Sequence, residues 1–261
     1  MQVITSTQNS EIKDLAKLKQ KEYRDSKKQF LIEGYWLVKL AIESNFPISK
    51  LYICKELFHK KFDNESLIKL VINQNVEVQE ISTQVFQKLS TIQSSMEGLM
   101  ALASKEVSDI DDIQVTDNSI FIVAESIEES SNLGGILRLA DNVGADGVIV
   151  TDIRTDIFSP VVIRSSLGAF FTVNFYIDSS VNFIDWARKQ NVLTVATSPN
   201  ASEYYNDIQY PRPLAVMVGS EYQGLSRVLI DGADRIVKIP MKGKINSMGI
   251  IPSLAVMMYM L

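Results

Sequence analysis

Three glycine-bearing loops carry the side chains with which this chain could do chemistry. The first holds Asn132, Gly134, Gly135 and Arg138; the second holds Gly219, Glu221 and Gly224; the third runs from Pro240 to Gly249 through Met241, Ser247 and Met248. Glycine just inside a helix costs about 1 kcal/mol relative to alanine, so Gly134 and Gly135 suggest close approach of a ligand or another backbone. Arg138 points either into the loop cleft or along the helix surface. Taken singly, each glycine loop also reads as an ordinary turn. The rest of the inventory narrows the chemistry. One cysteine, Cys54, excludes an internal disulfide, and one histidine, His59, leaves no soft-ligand cluster for zinc. Cys54 lies in an apolar run and reads as core; His59, beside Lys60 and Lys61, reads as surface.

The elements that must position these residues are legible around the first loop. Residues 120–124 form a β-branched apolar run, as expected of a strand buried on both faces. An acidic, serine-rich loop follows, and Asn132 sits where a helix N-cap would, ahead of Ile136, Leu137, Ala140 and Val143 at helical spacing. Gly144 ends that helix, and 147–150 reads as the next strand. The loop then lies at the carboxyl end of its strand, where open α/β sheets bind ligands. Strand 214–218 runs into the second loop and strand 236–239 into the third, so in a parallel sheet all three gather at one edge.

The remaining chain fits an α/β protein of two domains. Its 261 residues exceed one average domain, and 46% hydrophobic content supports a large core. Strands at 30–33, 50–54, 76–81 and 99–103 alternate with helices at 34–45, 65–73 and 83–89, the first of these helices with Trp36, Leu37, Leu40 and Ala41 inward. These give a domain over 1–104; the aspartate-rich segment 105–117 reads as a linker and 118–261 as the second domain. The second domain continues with a helix near 161–167, a strand near 173–176, a helix over 181–190, a strand at 192–197, a helix near Leu225, a strand at 235–239 and an apolar end from 250 to 261. There is no internal repeat. No apolar run reaches transmembrane length and residues 1–6 lack a signal-peptide pattern, so a soluble, cytoplasmic protein without a membrane partner is expected. The net charge of −5 argues against nonspecific nucleic-acid binding. Locally, however, Lys13, Lys17, Lys19, Lys21, Arg24, Lys27 and Lys28 outweigh Asp14, Glu22 and Asp25, on a segment where Ile12, Leu15 and Ala16 supply an inward stripe. That patch is either a phosphate-contacting surface or a solvated helix face.

Together and in this order, the three loops resemble the SpoU (TrmH) family of RNA ribose 2′-O-methyltransferases, within the SPOUT superfamily. The family's first motif, N-x-G-x-x-x-R with a later alanine and glycine, is matched by Asn132, Gly134, Arg138, Ala140 and Gly144. Its second, G-x-E-x-x-G after a strand, is matched by Gly219, Glu221 and Gly224. The third, I-P-M followed by S-L-N, is met by Ile239, Pro240, Met241 and Ser247, with Met248 for leucine and Gly249 for asparagine. Arg164, Ser166 and Gly168 look like the intervening R-x-S-x-G segment, and residues 30–34 resemble the opening of the family's ribosomal-protein-like substrate-binding domain.

The resemblance implies a trefoil-knotted catalytic domain, a homodimer, S-adenosylmethionine bound at the subunit interface, and no metal. Carried over by position, cofactor contacts fall to Thr197, Gly219, Gly224, Ile239, Met241 and Met248, and catalytic or positioning roles to Arg138, Asn132, Glu221 and Ser247. RNA contacts are expected from Lys17, Lys19, Lys21, Lys27, Lys28 and Arg164. Methyl transfer from a sulfonium to a ribose hydroxyl is an in-line displacement, requiring three aligned atoms and loss of the hydroxyl proton. Arg138 either is deprotonated in the site or stays charged and stabilises the developing alkoxide and nearby phosphate. Glu221 then orients groups or the partner subunit, and Asn132 fixes the first loop. Ribosomal RNA is favoured over transfer RNA by the N-terminal domain. The competing reading, an RNA-binding protein with an inactive methyltransferase fold, rests on Gly249. A nucleotide-binding oxidoreductase is disfavoured, since no G-x-G-x-x-G opens the first βα step.

Overall fold

Apolar runs that read as strands pair into two separate sheets, each with its own helices. The computed structural model describes residues 2–92 and 96–261. Among the described residues the elements run α1 (Ser10–Lys17), α2 (Lys21–Lys27), β1 (Gln29–Glu33), α3 (Tyr35–Glu43), β2 (Ile48–Ile53), α4 (Asn64–Asn73), β3 (Glu77–Glu80), α5 (Thr83–Leu89) and β4 (Leu99–Ser104). They continue with β5 (Ile120–Glu125), α6 (Ser130–Val143), β6 (Gly147–Thr151), α7 (Pro160–Ser165), β7 (Phe175–Asp178), α8 (Ser180–Lys189) and β8 (Leu193–Thr197). The chain ends with β9 (Glu203–Tyr204), β10 (Leu214–Val218), α9 (Arg227–Gly232), β11 (Arg235–Lys238) and α10 (Ile250–Met258).

The first unit comprises Met1–Glu106 and Phe158–Thr172. Its sheet has the order β1-β4-β2-β3, with β4 antiparallel to both neighbours and β2 parallel to β3. Ile12 and Leu15 of α1 bury against Tyr52, Phe86 and Met100, so the apolar stripe expected there is real. Helix α3 differs from expectation. Gly34 takes φ +107 before it, and the helix buries Tyr35, Val38, Ala41 and Ile42, which leaves Trp36 57% exposed. The 3.6-residue period centres the inward face on Val38, and Trp36 falls on the other side. The segment carrying α7 was expected within the second domain. Phe158 and Phe170 instead meet Phe30 of β1 edge to face, at 5.2 and 5.8 Å between ring centroids, which ties that insertion to the first unit.

The second unit comprises Val107–Ile157 and Val173–Leu261. Its sheet has the order β7-β6-β5-β10-β8-β11-β9 with every pair parallel. Strands β5 and β10 are buried throughout, which is why both read as unbroken apolar runs rather than alternating ones. The segment expected as a linker is largely structured. Asp109 caps a short 3₁₀ turn, Ile110–Asp112, and Ile110 and Ile113 join the core around Phe121, Trp186 and Met217. Its aspartates gave it the look of a solvated tether, while two isoleucines at a three-residue spacing anchor it.

Candidate active site at the carboxyl edge of the second sheet

Adjacent strands β5, β10, β8 and β11 send their carboxyl ends to one edge, and the strand order breaks between β5 and β10, where sheets of this kind bind ligands. One carboxylate joins the loops that follow those two strands. Glu221 Oε2 accepts from the Glu128 amide at 3.0 Å; Oε1 accepts from the Glu129 amide at 3.1 Å and from Asn132 Nδ2 at 2.8 Å. Glu129, the N-cap residue of α6, makes no side-chain cap bond, so Glu221 supplies negative charge at that helix start. Asn132 is therefore inside α6 rather than its N-cap, and its amide serves the tie to Glu221. Burial pushes the Glu221 carboxyl up, but the bonds from Asn132 and the neighbouring amides outweigh it and hold the group below the ordinary glutamate value.

The second loop closes on itself. Ser220 and Gly224 exchange backbone hydrogen bonds at 3.1 and 3.0 Å, and a Cβ on Gly219 would lie 2.0 Å from the Gly224 carbonyl carbon. Gly219 is thus required by its own loop, not by close approach of a ligand. Gly224 is different: it takes φ +69 and has open space where a Cβ would point. The far end of the loop is held by Glu125, a residue the sequence reading passed over. Glu125 is only 2% exposed, accepting from Ser180 Oγ at 2.7 Å and from the Ser226 amide at 2.6 Å. A carboxylate closing a wholly apolar strand was the available signal. Thr197, at the end of β8, donates its hydroxyl to the Met217 carbonyl at 3.0 Å, placing it beside the strand that feeds Gly219.

The third loop leads into α10. Ser247 is exposed and its Oγ accepts from the Gly249 amide at 3.2 Å; Ile239 and Met241 are half-buried and Met248 is exposed. Gly249 takes φ +88 and ψ 166 at the start of α10, a conformation open essentially to glycine alone. Helix α10 packs on α6: a Cβ on Gly135 would meet Ile251 Cδ1 at 2.8 Å. Gly135 therefore answers to helix packing, and Gly134 is buried within α6. Arg138 is exposed on the same helix, with no hydrogen bond or ion pair to its side chain among the described residues.

The expected RNA-contacting residues lie in the first unit, including Arg164, which is exposed on α7. Several lysines there are already engaged. Lys17 and Lys27 both reach Asp14 at 3.7 Å and lie over the Tyr23 ring, and Lys19 Nζ donates to the carbonyls of Lys88 and Ser90 at 2.9 and 2.8 Å. Arg24 is buried and donates to the Leu18 carbonyl at 2.6 Å. Lys21 and Lys28 are exposed without an ion pair among the described residues.

Comparison with known proteins decides the family. The model of the SpoU rRNA Methylase family matches residues 119–259, more than half of the chain. The chain belongs to that family. SpoU enzymes are methyltransferases that draw the methyl group from S-adenosylmethionine, and the MRM3-like substrate binding domain matches residues 9–101. A Staphylococcus aureus (strain MSSA476) protein provisionally named TrmH family tRNA/rRNA methyltransferase is 30% identical over 236 residues, covering 88% of this chain and 94% of its own. A crystal structure of an RNA 2′-O ribose methyltransferase superposes with a TM-score of 0.82 at 32% identity, covering 99% of this chain and 97% of its own. An AdoMet-bound rRNA methyltransferase from Sinorhizobium meliloti gives 0.89 at 25% identity, covering 99% and 96%. The SpoU loops here suit such a cofactor. Apolar Ile239, Met241 and Met248, backbone groups of the glycine turns and the open face of Gly224 offer what an adenosine carrying a sulfonium can use.

Proposed function

We propose that this SpoU methyltransferase methylates a ribose 2′-hydroxyl in structured RNA, with ribosomal RNA as the substrate, acting as a cytoplasmic homodimer whose catalytic chain is knotted. The observation that carries the reading is the Glu221 tie, which brings the first and second family motifs together at the sheet's ligand-binding edge. Bound there, S-adenosylmethionine supplies an electrophilic methyl group. The chain's own task is alignment and charge. Thr197, Gly219, Gly224, Ile239, Met241 and Met248 are the residues that would hold the cofactor. Ser247 organises the loop ahead of α10, and Asn132 and Glu221 fix the start of α6, which carries Arg138.

Arg138 acts by charge. A guanidinium remains protonated in proteins, so it stabilises the alkoxide that develops as the hydroxyl gives its proton to solvent water and its oxygen takes the methyl group, and it holds the adjoining phosphate. An exposed arginine with no partner among the described residues is available to an incoming RNA in a way that a paired one is not. The rRNA assignment draws on the substrate-binding module over 9–101 and on the Sinorhizobium meliloti neighbour. The test is a map of ribose methylation in RNA from cells with and without the gene. One ribose position should lose its methyl group in the deletion strain; unchanged ribosomal RNA beside an altered transfer RNA would reassign the substrate.

A further inference from the structure

The first unit carries an aromatic cluster that runs from its core to its surface. Tyr35 and Phe62 stack, with ring centroids 4.4 Å apart and planes 4° from parallel. Trp36 stands nearly perpendicular to both, at 5.3 and 6.0 Å, and the His59 ring lies 6.0 Å from Phe62. Tyr35 is buried, so the pair is anchored, while Trp36 remains 57% exposed. An indole held on one side by two rings and open on the other loses little freedom when a further ring settles on it.

Two lysines stand beside these rings. Lys60 and Lys61 are exposed and without ion pairs among the described residues, and Lys61 Nζ lies 4.6 Å from the Phe62 centroid. Two of the acids nearby are fixed by backbone amides. Asp63 accepts from the Ser66 amide at 3.1 Å, capping α4, and Glu97 accepts from the Tyr35 amide at 2.7 Å at the start of α3. The partner this surface fits has a flat aromatic ring and carries negative charge.

We infer that Trp36, backed by Tyr35 and Phe62 and flanked by Lys60 and Lys61, is a stacking site for an unpaired nucleotide of the RNA substrate. The inference rests on the RNA-methyltransferase reading above and adds a contact outside the lysine-bearing segment of α1 and α2. Stacking on aromatic side chains is how proteins hold splayed single-stranded bases, and it tolerates any base. The adjacent lysines contribute the salt-dependent share.

Tryptophan emission of the full chain provides the readout, because Trp186, the other tryptophan, is buried in the second unit's core. Titration with a short oligouridylate should quench the emission. Trp36→Ala should abolish the quench and weaken binding by about ten-fold or more. Trp36→Phe should keep most of the affinity, and Lys60→Gln with Lys61→Gln should flatten the salt slope. A perfect RNA duplex should show no dependence on Trp36. Unchanged oligouridylate affinity in Trp36→Ala would overturn the inference, as would a change in sedimentation in its place, which would give the face to a second copy of the chain. Methyl transfer by the wild type to ribosomal RNA, followed in parallel with labelled cofactor, keeps the two readings apart. Transfer with no Trp36 effect overturns only the stacking site, whereas no transfer overturns the function.

Discussion

Glu221 holds the start of α6 through three hydrogen bonds to one carboxylate, and that arrangement has a pH signature. Its folded pKa lies below the ordinary glutamate value of about 4.3, so the stabilisation is complete above that value and is lost as pH falls through the lowered one. Glu221→Gln should lower stability by about 1.5–3 kcal/mol at neutral pH, the range for bonds to a charged group. Melting temperatures taken from neutral pH down to about 3 should show the wild-type advantage shrinking only below about pH 4.3; a gap that does not narrow would remove the charge from the account. At this scale the sequence was informative about types but not about ties. Asn132 and Glu221 stand out as motif residues, yet the bond between them spans 89 positions and no local pattern announces it. Glu125 was missed because a carboxylate at the end of an apolar strand looks like the first residue of a loop.

Elements were read well where a single face decided them and poorly where two signals competed. Strand β10 and helix α5 fall where the sequence puts them, since an unbroken apolar run and a serine-capped amphipathic turn admit no rival. Trp36, expected inward, is exposed because the register of α3 follows Val38 and Ala41. The β10–α9 loop shows how tightly an element can depend on one missing atom. With Gly224 and Leu225 backbone atoms 2.0 to 2.2 Å from any Cβ on Gly219, Gly219→Ala must break the Ser220–Gly224 pairing. Roughly 1–3 kcal/mol of overpacking is expected, together with loss of S-adenosylmethionine binding measured by calorimetry. Retained affinity would show that the closed loop is dispensable.

For the whole molecule, both sheets and their order along the chain were legible, but the division between units was not. Phe158–Thr172 joins the first unit through the Phe30 aromatic cluster, and Ile110 and Ile113 anchor the supposed linker in the second core. Both depend on contacts between residues far apart in sequence. Quaternary structure belongs at this scale too. Helix α10 buries Leu254, Met257 and Met258, yet Tyr259 and Met260 beyond it stay exposed, an apolar end that a second protomer would cover. Sedimentation equilibrium of the full chain should return a dimer at micromolar concentration, and a monomer there would contradict the proposed assembly.

The most direct test of the central claim is the chemical identity of the product. Purified wild-type protein, labelled S-adenosylmethionine and ribosomal RNA should yield, after complete nuclease digestion and mass spectrometry, a nucleoside carrying its new methyl group on the ribose 2′-oxygen. The Arg138→Ala variant should bind the cofactor as the wild type does and form that product slower by roughly a hundred-fold or more, the scale of removing one electrostatic stabiliser of a transition state. A methyl group found on a base, or undiminished transfer by Arg138→Ala, would contradict the account.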